Sequence, residues 1–173
     1  MTADWFAGIG QPRETVVKET IREILADAEF AEGTAWRRHH LHPNQVIVRE
    51  GEKGRSLFYI ERGKLRVTGR VQLDSERHVQ PGICDMGAGE VFGELSLYGC
   101  RTRTATVTAL SEAVVVELDG EQLAQFLHAN PELGYRMLRA LFETLADRLS
   151  RADRQMENLL AWGLKAHAIE KHL

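Results

Sequence analysis

Cysteine is scarce in this 173-residue sequence, and the two cysteines present, Cys84 and Cys100, form neither a C-x-x-C pair nor half of a four-ligand set. A structural zinc site or a small disulfide-stapled domain needs more cysteines than this. The chain is also long enough to bury a hydrophobic core of its own. We therefore expect reduced thiols with no special role.

Long apolar runs are missing as well. Nowhere do eighteen apolar residues follow one another, and Met1–Gly10 contains Asp4 but no basic stretch followed by an apolar run. A transmembrane helix and a secretory signal would require these features. The sequence therefore predicts a cytoplasmic protein that has no membrane partner.

An excess of positive charge is the third missing feature. The chain has 22 Lys and Arg residues against 25 Asp and Glu residues, which gives a formal net charge of −3. Nucleic-acid-binding proteins are usually basic, so no nucleic-acid partner is expected. The 43% hydrophobic and 27% charged fractions are ordinary for a globular domain. An anionic ligand would have to be captured by a local site.

Hydrophobic periodicity predicts one helix followed by several short strands. Apolar residues at three- and four-residue steps predict an amphipathic helix over Glu14–Glu32. Short β-branched runs between turn residues, and one stretch of strict apolar–polar alternation, predict an antiparallel sandwich or roll. The predicted strands are Val46–Val48, Leu57–Ile60, Leu65–Leu73 with a bulge at Gly69, Thr104–Ala109 and Ala113–Leu118.

Two helices are predicted after the last strand. Asp119 is a suitable N-cap for a helix over Glu121–His128, and Asn130-Pro131 opens a second, longer helix. An apolar stripe runs along this long helix through Leu138, Leu141, Leu145, Leu149, Ala152, Met156 and Leu160. Such a stripe packs either on the strands or on a twin helix, and its spacing leaves both open.

The most informative segment is Phe92–Leu97, which is followed, after Tyr98–Thr102, by Arg103. Gly93 can adopt backbone angles closed to other residues, and one helical turn after it would present free N–H groups to an anion. The planar, permanently charged guanidinium of Arg103 suits two phosphate oxygens, and Glu94 can accept hydrogen bonds from a sugar hydroxyl. The segment could thus bind a phosphate and a ribose together.

This segment resembles the phosphate-binding cassette of cyclic nucleotide-binding domains, which occur in cAMP-dependent kinase regulatory subunits, cyclic-nucleotide-gated channels and bacterial catabolite activators. The resemblance covers about Gln45–Leu118 and includes the spacing from Glu94 to Arg103. Supporting segments are Glu50–Glu52, Phe58–Ile60, Gly63–Lys64 and Gly89–Phe92. It implies a cyclic nucleotide receptor, not an enzyme, whose ligand is cAMP or cGMP and which needs no cofactor or metal.

The resemblance also assigns roles to individual residues. It implies that main-chain amides of the cassette and one carboxylate hold the sugar and phosphate, that an arginine holds the cyclic phosphate, and that two neighbours line the pocket. The implied ligand-binding residues are Gly93, Glu94, Leu95, Ser96, Arg103, Thr104 and Ala105. Thr104 occupies the place of a threonine that contacts guanine in cGMP-selective members. Cys100 and Arg101 depart from the commoner cassette residues.

The fold expected from these observations is mainly β: an antiparallel β-roll of the double-stranded β-helix or jelly-roll type, with an N-terminal helix and a long C-terminal helix. It divides the chain into an N-terminal helical segment, 1–44, a ligand-binding β-roll, 45–118, and C-terminal helices, 119–173. Ligand binding would reposition the C-terminal helix, which a downstream protein or a second copy of the chain would contact.

Two other interpretations stay open. In the first, the cassette is degenerate and the chain is a ligand-free dimerisation or interaction module. In the second, His39, His40 and His42 mark a cupin-like metalloenzyme, although Glu50 follows His42 at a greater distance than the usual cupin spacing. Metal analysis would test the second.

The segment after the long helix is short. Leu159–Leu173 is too short for the winged helix-turn-helix that transcription factors of this family carry, so a stand-alone domain without a DNA-binding module is expected. An aromatic residue near the C-terminus can close over the bound base in this family. Trp162 is therefore a candidate lid, with core packing or a dimer contact as the alternative.

Overall fold

A computed structural model describes residues 13–69, 71–72, 78–79, 82–97 and 102–166. In chain order its elements are α1 (Arg13–Ala26), β1 (Trp36–Leu41), β2 (Val46–Val48), β3 (Leu57–Arg62), β4 (Lys64–Thr68), β5 (Val71–Gln72), β6 (His78–Val79), β7 (Gly82–Gly87), β8 (Val91–Phe92), a 3₁₀ turn (Glu94–Ser96), β9 (Thr106–Ala109), β10 (Ala113–Leu118), α2 (Gly120–Ala129) and α3 (Pro131–Ala166). The helices thus flank a body of strands.

The strands form two four-stranded antiparallel sheets. One has the order β1-β10-β3-β8 and the other β2-β9-β4-β7, while β5 and β6 pair as a separate ribbon. Neighbours in each sheet are distant in sequence, which is the arrangement of a roll and not of a meander. The antiparallel β-roll with flanking helices is confirmed.

Two cores hold the layers together. The first lies between the two sheets and includes Phe58, Ile60, Leu65 and Val107. The second lies between the outer face of the first sheet and the helices. Its large members include Ile21, Ile24, Phe30, Leu57, Tyr59, Leu118, Leu123 and Met137. Each fully buried large apolar side chain contributes about 1.5–3 kcal/mol, so the helices are firmly attached to the strands.

The predicted N-cap of α2 is confirmed. The Asp119 carboxylate accepts hydrogen bonds from the backbone N–H groups of Glu121 and Gln122 at 3.0 and 2.9 Å. These groups have no carbonyl partner in the first turn of a helix, so the cap satisfies them. The Asp119 amide also donates to the Ala35 carbonyl at 2.8 Å, which ties the start of α2 to the segment ahead of β1.

The long helix α3 changes character along its length. Its first half packs on α1 and the first sheet through Leu133, Met137 and Ala140, whereas most of its second half is exposed. Leu141 is 2% exposed and belongs to the core, while Phe142 is 71% exposed. The exposed apolar stripe therefore runs through position 142 and not 141, a distinction that spacing alone could not make.

The structure contains the strands β6 and β7, which were not predicted, and it differs from the sequence expectation in three further elements. The predicted first helix ends earlier, at Ala26, where a turn closed by a bond from the Phe30 amide to the Asp27 carbonyl inserts Phe30 into the core. The strand β1 lies inside the segment predicted as helical, because its polar interior hides the strand pattern. The predicted strand Leu65–Leu73 is divided between β4 and β5.

Candidate ligand-binding site

The cassette forms a tight turn after β8. Gly93 has φ +81° and ψ +7°, the left-handed conformation that glycine adopts most readily, and the 3₁₀ turn Glu94–Ser96 follows directly. The Ser96 amide donates to the Gly93 carbonyl at 3.0 Å, and the Leu97 amide donates to the Glu94 carbonyl at 3.1 Å. The amides of Glu94 and Leu95 precede these bonds and have no carbonyl partner within the turn.

The backbone of Arg103 is fastened to the turn between β2 and β3. Its amide donates to the Glu52 carbonyl at 2.8 Å, and its carbonyl accepts from the Gly51 amide at 2.8 Å. An antiparallel bridge between Lys53 and Thr102 continues this pairing. Arg103 therefore starts from a fixed backbone position.

The side chain of Arg103 is buried, at 8% exposure, and lies against the cassette. Its Nη1 donates to the Ser96 hydroxyl at 2.9 Å and to the Ser56 carbonyl at 3.0 Å. Its Cζ lies 5.2 Å from the centre of the Phe58 ring, which stacks on Phe92. Burial lowers the pKa of Arg103, but an arginine titrates so far above neutrality that it stays charged.

Glu94 connects the cassette to α3. This carboxylate is also buried, at 6% exposure, and its Oε1 accepts a hydrogen bond from Arg148 Nη1 at 2.7 Å. The Nη2 of Arg148 donates to the Val91 carbonyl. An ion pair that is mostly desolvated must be well satisfied to be stable, and these contacts satisfy it. The second half of α3 is thus held at the cassette by one arginine.

A cavity of about 360 Å³ lies between the cassette, the second sheet and α3. This is within the usual size range of small-molecule sites. Its wall combines apolar strand residues with charged groups: Val48, Val67, Cys84, Asp85, Met86, Glu90, Phe92, Gly93, Glu94, Leu95, Ser96, Thr102, Arg103, Thr104, Ala105, Val107, Arg148, Arg151, Ala152 and Gln155. A ligand with an apolar ring and an anionic group would fit this combination.

All seven residues predicted for ligand binding line this one cavity, from Gly93–Ser96 on one side to Arg103–Ala105 on the other. Their individual roles stay predictions. Trp162 lies on α3, is 70% exposed, and is not among the described residues that line the cavity. Its role as a lid also stays a prediction. Cys100 and Arg101 lie outside the described residues.

Several wall residues were not predicted from the sequence. Arg148, Arg151 and Gln155 come from α3, and Cys84 and Asp85 come from β7. The steps of three and four residues between the α3 positions show that they share a face, which was a usable signal. No sequence pattern shows that this face reaches the cassette.

The histidines ahead of β2 are used differently from cupin ligands. His39 Nε2 lies 2.8 Å from Glu117 Oε2, and His42 Nδ1 lies 3.0 Å from Glu112 Oε1. Among the described residues, no group of three or more His, Cys, Asp or Glu side chains is placed to hold a metal ion.

Within the same part of the chain, no helix is long and apolar enough to cross a membrane.

Comparison with known proteins agrees with this geometry. The sequence profile described as "Cyclic nucleotide-binding domain" matches residues 38–130, which is more than half of the chain. The chain therefore belongs to the cyclic nucleotide-binding domain family.

Two relatives are described as transcriptional regulators. A CRP-like cAMP-activated global transcriptional regulator of Mycobacterium tuberculosis is 28% identical over 154 residues, which are 89% of this chain and 60% of that protein. The cAMP-activated global transcriptional regulator CRP of Haemophilus influenzae is 30% identical over 125 residues, 69% of this chain and 52% of that protein. The chain thus spans about half to three fifths of the length of these relatives.

Solved structures share the fold. A cyclic nucleotide-binding domain from Methylobacillus flagellatus has a TM-score of 0.65 at 21% identity, covering 84% of this chain and 83% of that one. The catabolite activator protein of Thermus thermophilus has a TM-score of 0.60 at 22% identity, covering 89% of this chain and 62% of that one.

The close approach of Arg103 to Gly93 can be tested with a pair of glycine variants. Gly93 and Gly51 have similar positive φ values, +81° and +87°. A Cβ on Gly93 would lie 2.8 Å from both Arg103 Nη1 and the Ser56 carbonyl oxygen, whereas a Cβ on Gly51 would meet nothing within 4 Å. In urea unfolding, Gly51→Ala should cost about 1–2 kcal/mol of left-handed strain. Gly93→Ala should cost about 1–3 kcal/mol more. Equal losses would show that the cassette tolerates the added methyl group.

Proposed function

We propose that this chain is a cyclic nucleotide receptor that binds cAMP or cGMP in the cavity beside the cassette. The observation that carries the proposal is the buried guanidinium of Arg103, which faces the same cavity as the cassette turn. In this proposal residues 45–118 hold the ligand, and residues 119–173 transmit its presence. The role is that of a binding protein and not of an enzyme.

The phosphate end of the ligand would lie at Arg103 and the cassette turn. One nitrogen of the guanidinium already holds Ser96 and the Ser56 carbonyl, and a guanidinium has further N–H donors for phosphate oxygens. Ser96 and the amides of Glu94 and Leu95 supply uncharged donors on the same side. Such an arrangement suits a single negative charge held between fixed dipoles.

The ribose end would lie at Glu94. A carboxylate has two oxygens, so Glu94 can keep its bond to Arg148 and accept a ribose hydroxyl at the same time. The apolar wall formed by Val48, Val67 and Val107 is suited to the face of the base. The names of two relatives refer to cAMP, which makes cAMP the first ligand to test. The second ligand to test is cGMP, because Thr104, which occupies the place of a guanine-contacting threonine, lies on the cavity wall.

Calorimetric titration of both nucleotides tests the proposal directly. The unchanged protein should bind at least one of them, and Arg103→Ala should weaken binding at least tenfold, because a buried charge-assisted contact to phosphate is worth on the order of 2–5 kcal/mol. Arg38→Ala is the control, since Arg38 pairs with Glu61 and does not line the cavity. It should bind normally. Absence of heat with the unchanged protein would favour the ligand-free interaction module, and unchanged affinity in Arg103→Ala would remove this arginine from the site.

The proposed output is a change in the position of α3. A ribose bound at Glu94 would affect the position of α3 through Arg148, because Arg148 donates hydrogen bonds to both Glu94 and the Val91 carbonyl. A ligand can shift the helix only by binding one arrangement better than another. Strengthening or competing with the Glu94–Arg148 pair would supply that difference.

Amide hydrogen exchange along α3 measures this coupling. Saturating nucleotide should change exchange over the second half of the helix by at least threefold in the unchanged protein, because the Glu94–Arg148 contact is altered. In Arg148→Ala the nucleotide should still bind but leave this exchange unchanged. Arg154→Ala, at an exposed α3 position that does not line the cavity, should respond like the unchanged protein. A full response in Arg148→Ala would contradict this route.

The proposed partner of α3 is a second copy of the chain. The stripe follows alternating steps of four and three residues, through the exposed residues Leu138, Phe142, Leu149, Ala152, Met156 and Leu159 and the half-buried Leu145. This is the heptad pattern with which helices pair in coiled coils. Such a large exposed apolar surface is unusual for a monomer. A downstream protein that recognises the resulting dimer would complete the signal.

Sedimentation velocity tests this pairing. The unchanged chain should sediment as a dimer at micromolar concentration. Leu149→Lys should raise the dissociation constant of the dimer at least tenfold, because a charge would be buried between the two helices. Ser150→Lys places the same charge on an exposed neighbour outside the stripe and should leave the dimer intact. A monomer at all concentrations would contradict the proposal.

A further inference from the structure

One chain of contacts leads from the surface of the first sheet to Arg103. His39 Nε2 lies 2.8 Å from Glu117 Oε2, and the other oxygen of Glu117 accepts a hydrogen bond from the Ser56 hydroxyl at 2.5 Å. The Ser56 carbonyl in turn accepts from Arg103 Nη1 at 3.0 Å. The side chain of His39 is 37% exposed, so the outer end of this chain reaches solvent.

Sheet geometry explains why these groups meet. Glu117 pairs with Phe58 on the neighbouring strand, so both side chains point to the same face of the sheet. Phe58 is also the ring over which Arg103 lies, at 5.2 Å. Glu117 therefore stands on the cavity side of β10, one strand away from the ring that supports the guanidinium.

Among the described residues, the side chain of Arg103 donates hydrogen bonds to a hydroxyl and a carbonyl and forms no salt bridge with a carboxylate. Burial lowers the pKa of Arg103, and among the carboxylates that act in the opposite direction Glu117 has the largest effect, ahead of Glu52 and Glu94. The largest electrostatic compensation for the buried cation thus comes from Glu117, which also accepts a hydrogen bond from the Ser56 hydroxyl.

We propose that Glu117 is a positioning residue for Arg103, acting through Ser56, and that protonation of His39 adjusts how strongly Arg103 attracts an anion. This inference rests on the proposed function, because it concerns the affinity of the same site. It adds two residues, His39 and Glu117, that do not line the cavity.

The sign of the effect follows from the charges. Histidine side chains change charge between about pH 5 and 8. When His39 is neutral, the full charge of Glu117 acts on Arg103 and weakens the positive potential that an incoming phosphate meets. When His39 takes up a proton, it offsets Glu117, and the potential at Arg103 becomes more positive. Affinity for a cyclic nucleotide, whose phosphodiester keeps one negative charge in this range, should therefore rise as the pH falls.

Other charged groups around Glu117 do not reverse this sign. Arg37 lies opposite Glu117 in the β1–β10 register, and arginine side chains are permanently charged in proteins. Arg55, next to Ser56, pairs with Glu121 on α2 at 3.0 Å. Glu52 and Glu94 also act on Arg103, and carboxylates as a class titrate mainly below this range. Of the residue types in this set, histidine is the one whose unperturbed charge change falls within this range.

The pH dependence of nucleotide affinity, measured by calorimetry at pH 5.5 and 7.5, tests the role of His39. The unchanged protein should bind about two- to fivefold more tightly at pH 5.5, as expected for one charge acting across a partly screened path. His39→Gln should lose this step. His42→Gln is a matched control, because His42 forms a similar pair with Glu112 but lies outside the cavity and the contact chain. It should keep the step, and a step that survives in His39→Gln would overturn the proposal.

A second pair of variants tests positioning. Glu117→Ala removes the acceptor for Ser56 and should weaken binding at pH 7.5 about three- to tenfold, whereas Glu117→Gln keeps an oxygen acceptor and should bind at least as tightly as the unchanged protein. If the role of Glu117 were purely structural, both variants would have a lower unfolding temperature, and their nucleotide affinities would not differ in this way. Equal affinity in Glu117→Ala and the unchanged protein would overturn the positioning role alone. Absence of nucleotide binding by the unchanged protein would overturn the proposed function, and this inference with it.

Discussion

The buried guanidinium of Arg103 is the constraint around which the site is organised. Removing a cation from water is costly unless hydrogen bonds and nearby charges compensate for it. Arg103 obtains this compensation from the Ser96 hydroxyl, the Ser56 carbonyl and the face of Phe58. A phosphate would supply the missing opposite charge directly. The partners of Arg103 are uncharged, and under the proposed function this leaves the guanidinium able to attract an anionic ligand.

Backbone contacts hold this side chain in position. Two hydrogen bonds fix Arg103 to the turn at Gly51 and Glu52, and the left-handed conformation of Gly93 brings the cassette turn against the guanidinium. Side chains that are held in place before the ligand arrives lose less entropy on binding. The cavity is in this sense preorganised at the Arg103 end, whereas its opposite side is formed by the mostly exposed second half of α3.

That helix joins the site to the rest of the molecule. Arg148 connects the second half of α3 to Glu94, while the apolar stripe of α3 faces away from the core. One helix thus carries a site contact and an exposed seam within a few turns of each other. Under the proposed function, a movement of α3 at Arg148 would therefore also move the exposed stripe.

Local patterns in the sequence were sufficient for the class of fold, the cassette and the cap of α2. Glycine at 93, arginine at 103 and the alternation in β4 each encode a conformation or a charge that needs no distant partner to be recognised. The same patterns missed β1, whose polar centre is tolerated because it pairs at the sheet edge with β10. They also could not tell whether Leu141 or Phe142 belongs to the exposed stripe of α3.

Only the tertiary structure decided which distant residues meet. Arg148 at Glu94, and His39, Glu117 and Ser56 behind Arg103, are brought together by sheet pairing and helix docking. A sequence specifies periodicity and charge within one element, since both depend on neighbours a few residues away. Contacts between elements depend on how two cores pack at the same time, and this information is distributed over the whole chain.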